Sequence, residues 1–276
     1  MQFADRKVDL TFPQVMGILN VTPDSFSDGG HFNNLDSALA QARKMVEAGA
    51  TFIDVGGEST RPGAADVSLA QELQRVVPVI ELLRKELDCT ISIDTSKAAV
   101  MTEAVKAGAG LINDIRALQE SNALETAVDA RVPVCLMHMQ GQPRTMQIEP
   151  VYDDVVNDVK AFLQQRIECC MAAGIPKHNI LLDPGFGFGK SVMQNYALLR
   201  RLTEFNNLGC PLLVGLSRKS MLGQIVNKPV EQRLAASVAA ATLVAMKGAK
   251  IIRVHDVQQT VDAIKIVNAM ENLQEN

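Results

Sequence analysis

The 276-residue chain is 47% hydrophobic and 21% charged, an ordinary globular mixture able to bury a substantial core. Its net charge of -4, with no Trp and two Tyr, argues against nucleic acid or an anionic membrane as the main partner, since both require a basic face. The five Cys form no C-x-x-C pair, which argues against a zinc or disulfide framework and for reduced, buried thiols.

The opening MQFADRKVDLTF has no apolar core of a secretory signal, so a soluble, cytoplasmic protein is expected. The first predicted strand is VMGILN (15–20), which stops on the bare amide of Asn20 and gives way to the polar stretch VTPDSFSDGG. An amphipathic helix follows over 36–50, then the strand TFIDV (51–55) and a helical stretch over 69–87. Pro78 lies inside that stretch and predicts a kink or a late start. Next come the strand TISID (90–94), a helix over 97–110 and the strands LIND (111–114) and VPVCLMH (132–138). A long helix over 152–174 precedes the strands NILLD (179–183), PLLVG (211–215) and IIRVH (251–255). Gly49, Gly108, Gly174 and Gly248 mark helix ends. The Ala-rich run Leu234–Met246 is shorter than the roughly 20 residues that span a bilayer and reads as a packed helix.

Eight strands, each followed by a helix, at about 34 residues per unit, predict an α/β protein with a parallel sheet closed as a (β/α)8 barrel, the TIM barrel. An open doubly wound sheet is the competing architecture. With no linker and no shift in composition, residues 1–276 read as one domain.

The strands end on polar residues: Asn20, Asp94, Asn113 or Asp114, His138, Asp183 and His255, with Asp54 one position from its strand's end. One such residue is often a helix cap. A whole rim of them, on the face where barrels carry their sites, points to an enzyme or a small-molecule binder. In R-V-H, Arg253 and His255 share one face, and a buried strand holds a cation only with an anionic partner. With one of the adjacent Arg218 and Lys219 they read as an anion site suited to phosphate. DPGFGFGKS (183–191) fails the Walker A template at Pro184 and the G-x-G-x-x-G template at Lys190. Its glycines instead suit close approach of backbone and Phe188 to a flat ligand. Asp94 and Asp183, with Asn113, suit the N–H edge of a heterocycle such as a pterin or purine. The alternative for Asp94 is a cap on the next helix.

Taken together, NVTPDSFSDGG, GGESTRPGA, SIDTSK, NDI, LMHMQGQP, DPGFGFGK, GLSRKS and RVHDV resemble the dihydropteroate synthases, the folate-pathway enzymes inhibited by sulfonamides. The resemblance covers roughly residues 15–260 and implies a (β/α)8 barrel that condenses 6-hydroxymethyl-7,8-dihydropterin diphosphate with p-aminobenzoate, yielding 7,8-dihydropteroate and pyrophosphate. It implies that Asp94, Asn113, Asp183 and Lys219 hold the pterin, with Met137 and Gly215 lining its slot. By the same resemblance Asn20, Thr60, Arg61, Arg253 and His255 would take the diphosphate, and Asn20 would also ligate Mg²⁺. It further implies that Phe26, Pro62, Phe188 and Ser220 shape the p-aminobenzoate pocket and that Asp28 helps a lid to close. Substitution through a pterin carbocation, small-molecule partners and a homodimer formed by the last helices complete the expectation. The alternatives are a pterin-binding methyltransferase-type domain and a non-catalytic pterin-binding paralogue.

Overall fold

The computed structural model describes the backbone of residues 1–22, 31–59, 66–141, 146 and 150–271, with their side chains except at positions 31–34. An antiparallel pair, β1 (Gln2–Phe3) and β2 (Arg6–Lys7), precedes eight parallel strands. These are β3 (Gln14–Asn20), β4 (Phe52–Gly56), β5 (Thr90–Asp94), β6 (Leu111–Asp114), β7 (Val134–Met137), β8 (Ile180–Asp183), β9 (Leu212–Gly215) and β10 (Ala249–Val254). They pair in the order β10-β3-β4-β5-β6-β7-β8-β9 and close on themselves, so the barrel holds and the open sheet does not. The pair β1–β2 was not foreseen, because two-residue strands carry no periodicity for sequence reading to detect.

The helices are α1 (His31–Glu47), α2 (Leu69–Glu86), α3 (Ala98–Ala107), α4 (Ala123–Ala130), α5 (Val155–Ala173), α6 (Val192–Arg200), α7 (Ser220–Val226), α8 (Leu234–Met246) and α9 (Val257–Glu271). Gly108 and Gly174 are left-handed C-caps whose N–H groups satisfy the last carbonyls of α3 and α5. The expected late start at Pro78 does not occur. A capping box between Ser68 and Gln71 starts α2 at Leu69, well before the proline, and buried Val76, Val79, Ile80 and Leu83 hold it to the barrel on both sides of the proline. All five Cys are free thiols, with Cys169 half-buried and the others buried. Among the described residues no helix is long and apolar enough to cross a membrane.

The two-residue period of the strands divides their side chains. Val15, Leu19, Ile53, Val55, Ile91, Ile93, Val134, Leu136, Ile180, Leu182, Val214, Ile252 and Val254 join the core packed under the helices. The alternate residues Met16, Phe52, Leu111, Cys135, Leu181, Leu213 and Ile251 fill the barrel's own interior. Phe3 and Val8 from the N-terminal segment complete this inner cluster. The Phe3 ring meets Phe52 edge to face at 5.0 Å. The barrel is thus plugged at its N-terminal end, and its inward positions toward the other end carry the polar residues. Because Phe3 is 1% exposed, Phe3→Ala should lower unfolding free energy by about 3–5 kcal/mol. A loss below about 1 kcal/mol in urea denaturation would show that the plug is not part of the cooperative core.

Candidate active site

Above the apolar plug, each strand brings one inward residue to the C-terminal mouth: Asn20, Gly56, Asp94, Asn113, Met137, Asp183, Gly215 and Arg253. The ladder aligns Asn20 with Gly56, Gly56 with Asp94, and Asp94 with Asn113. On the other side it aligns Met137 with Asp183 and Gly215 with Arg253. Polar side chains and Met137 are thus interrupted by two glycines around one rim. A Cβ on Gly56 would lie 3.7 Å from Asn20 Oδ1 and 3.9 Å from Asp94 Oδ2, so the missing side chain leaves a recess between those groups.

Arg253 is the centre of the site. Its Nε donates to Asp54 Oδ2 at 2.6 Å and its Nη2 to Asp94 Oδ2 at 2.7 Å. Asn113 Nδ2 donates to the same Asp54 oxygen at 3.2 Å. Burial opposes the guanidinium charge, but Asp54 and Asp94 overcome that and hold its pKa above the ordinary value. Burial pushes Asp94 up to about 7, opposed by Arg253 and reinforced by Asp54. Asp94 does not cap the following helix: it spends an oxygen on Arg253, while Lys97 at the α3 N-cap makes no side-chain cap.

Asp183 and Lys219 form the other charged side. Burial raises the Asp183 pKa, moderated by the Lys219 charge and by the Gly185 N–H donated to Asp183 Oδ1 at 2.7 Å. Burial brings Lys219 down to about 8, and the Asp183 charge resists that fall. Lys219 Nζ donates to the Phe186 carbonyl and lies 4.7 Å from the centre of the Phe188 ring. The choice between the adjacent cations is thereby settled. Lys219 turns inward, whereas Arg218, at φ 58°, turns away and forks onto Asp256.

Other rim residues take different roles. His255, just past β10, has its Nδ1 3.1 Å from Ser217 Oγ, and its N–H donates to the same hydroxyl at 3.2 Å. Met137 is buried on β7, Phe188 is half-buried in the loop after β8, and Ser220 is exposed at the start of α7. Asp114 caps a turn by accepting the N–H groups of Arg116 and Leu118, each at 2.8 Å. His138 is buried against Phe162, with ring centres 5.0 Å apart. The sequence-predicted Phe26, Asp28, Thr60, Arg61 and Pro62 lie outside the described residues.

Sequence reading put Asp54 near a strand end without a role. It is wholly buried and serves both Arg253 and Asn113. The available signal was its place two residues before Gly56, on the inward side of the strand.

Comparison with known proteins agrees with this geometry. The family model for pterin binding enzymes matches residues 16–255. The dihydropteroate synthase of Haemophilus influenzae is 60% identical over 271 residues, 98% of each chain. That of Escherichia coli is 56% identical over 269 residues, covering 98% of this chain and 95% of the other. Among solved structures, a Yersinia pestis dihydropteroate synthase with a sulfonamide drug matches with a TM-score of 0.95 at 60% identity, covering 99% of both chains. A Xanthomonas albilineans dihydropteroate synthase in complex with 7,8-dihydropteroate matches with a TM-score of 0.90 at 46% identity, covering 99% of this chain and 98% of the other.

Removing Arg253 would leave Asp54 and Asp94 buried without their cation, so Arg253→Ala should cost about 3–5 kcal/mol near pH 8. A carboxylate whose folded pKa is raised loses stability as pH climbs from its unfolded value through the folded one, near 7 for Asp94 before the cation is removed. The penalty should therefore be smaller at pH 5 than at pH 8. Equal penalties at both, in urea unfolding, would contradict charge pairing as the source.

Proposed function

The chain belongs to the pterin-binding enzyme family, as a dihydropteroate synthase, and from that premise we propose how its mouth arranges the reactants. It is a transferase of folate synthesis that joins 6-hydroxymethyl-7,8-dihydropterin diphosphate to p-aminobenzoate, releasing pyrophosphate. The observation that carries the assignment of roles is the set Asp94, Asn113 and Asp183, converging from three strand ends above the plug. Acceptors and an amide fixed on strands match the N–H edge of a pterin without reorganisation. Met137 and the bare backbone at Gly215 leave room for the flat ring, with Lys219 beside it. Phe188 supplies an apolar face for p-aminobenzoate, with Ser220 near the entrance and Phe26 and Pro62 completing the pocket.

The diphosphate belongs on the side of Asn20, Arg253 and His255, joined by Thr60 and Arg61. Arg253 is already shared by two carboxylates, and the inner mouth sets Asp54, Asp94 and Asp183 against Arg253 and Lys219. A polyanion then enters best with a cation of its own, which favours Mg²⁺ carried on the substrate. The Asn20 amide oxygen beside the Gly56 recess fits such an ion, and among the described residues no group of three His, Cys, Asp or Glu forms a self-sufficient metal site. The ion would neutralise charge building on the leaving diphosphate. As that group departs, Asp94 and its neighbours stabilise positive charge on the pterin methylene carbon. The neutral amine of p-aminobenzoate then attacks, so no strong base is needed. Such a cation must be kept from water, a task for the first loop with Asp28.

Exposed Ile225 and Val226 on α7, Leu234, Leu243 and Met246 on α8, and Ile266 and Met270 on α9 support a homodimer through the last helices. Five free thiols support a cytoplasmic setting, and sulfonamides are the expected inhibitors.

Purified protein given Mg²⁺, the pterin diphosphate and p-aminobenzoate should release pyrophosphate, and no release above background at saturating substrate would overturn the activity. In Asn20→Ala the Mg²⁺ concentration for half-maximal rate should rise about tenfold. An unchanged metal titration would remove Asn20 from the ion's ligands.

A further inference from the structure

The lysine of DPGFGFGKS sits where no phosphate could reach it. Lys190 is 2% exposed. Its Nζ donates to the carbonyls of Gly185 at 2.8 Å, Phe188 at 2.9 Å and His138 at 3.3 Å, and lies 3.0 Å from His138 Nδ1. Burial drives the His138 pKa down to about 3, helped by the Lys190 charge, so this imidazole is neutral and its Nδ1 accepts. Burial also lowers the Lys190 pKa, resisted by the Asp183 charge and reinforced by that of Lys219. A buried amine with this many acceptors is a fixed junction.

The junction shapes the loop between β8 and α6. Gly185 and Gly189 have φ of 70° and 60°, and a Cβ there would stand 1.8 Å from the His138 carbonyl oxygen and 2.4 Å from that of Gln140. The loop is therefore pressed backbone to backbone against the chain leaving β7. Asn195 Oδ1 accepts the Gly187 N–H at 2.7 Å, and Tyr152 donates to the Gly189 carbonyl at 2.8 Å. The carbonyls of Gly185 and Phe188 turn inward to Lys190, while that of Phe186 turns to Lys219 in the mouth. Two lysines thus hold one loop from opposite sides.

We propose that Lys190 is a positioning residue for the transfer. Its buried side chain locks the Pro184–Gly189 loop so that the Phe188 ring stands beneath Lys219 at the wall that receives p-aminobenzoate. This role rests on the placement of p-aminobenzoate against Phe188. It predicts an effect on one substrate rather than a uniform loss, because Asp94, Asn113 and Asp183 are held by strands.

The test is Lys190→Met, which keeps the apolar stem, measured by pyrophosphate release below its unfolding temperature. The KM for p-aminobenzoate should rise about tenfold or more, while the calorimetric Kd for the unphosphorylated pterin changes less than about threefold. A KM within about twofold of the parent, or equal losses for both ligands, would overturn the proposal. If Lys190→Met does not fold, His138→Leu, which removes the ring acceptor, should raise the same KM by about threefold, and an unchanged value is equally decisive against it. Absence of turnover in the parent chain would refute the activity itself. The role of Lys190 is then decided by hydrogen exchange, in which the amides of Gly185, Gly187 and Phe188 should exchange about tenfold faster in the variant, and unchanged protection overturns it.

Discussion

A guanidinium inside a barrel is tolerable only if its charge is met there. Arg253 satisfies that condition by bridging Asp54 and Asp94, carboxylates from two strands on the opposite side of the β3 seam. The rest of the mouth follows from this bridge. Asp54 fixes Arg253 and Asn113 with one oxygen, Asp94 is held away from the helix it could have capped, and Gly56 and Gly215 leave the space beside them open. The bridge can exist because the plug of Phe3, Met16 and Phe52 belongs to a packed, apolar interior beneath it, so the charges face one another in a setting of low dielectric.

On the other side of the mouth, order comes from lysines acting at different depths. Lys219 stands in the mouth among Asp183, the Phe186 carbonyl and the Phe188 ring. Lys190 is sealed behind the same loop and binds its other carbonyls. A loop rich in left-handed glycines would otherwise be soft. Two lysine side chains bind its carbonyls from either side, the kind of support that selective binding of a small flat amine demands.

Much of this was legible in order along the chain. Each barrel strand announced itself as a short apolar run, and Asn20, Asp94, Asn113 and Asp183 stood out because polar residues closing such runs are costly unless they face a site. The same rule misplaced Asp114 and His138, which close their strands equally well but satisfy a turn and a buried lysine. Side-chain direction past the end of a strand is set by the following backbone, and local pattern carries no record of it. Lys190 was visible as the residue that spoiled the G-x-G-x-x-G template, with no hint of where its side chain went.

By itself the sequence determined the alternation of strands and helices, the parallel sheet it implies and the strand ends on which the polar residues gather, because hydrophobic period and helix punctuation are local properties; it left the closed barrel in competition with an open sheet. Its motifs also pointed to the family. Only the tertiary structure decided which cation turns inward, that Asp54 unites Arg253 with Asn113, and that two lysines grip one loop. Those facts depend on partners 33 to 199 residues apart in the chain, except where Lys190 meets its own loop. Contacts at such separations exist only once the barrel has closed, and closure is a property of all eight strands together.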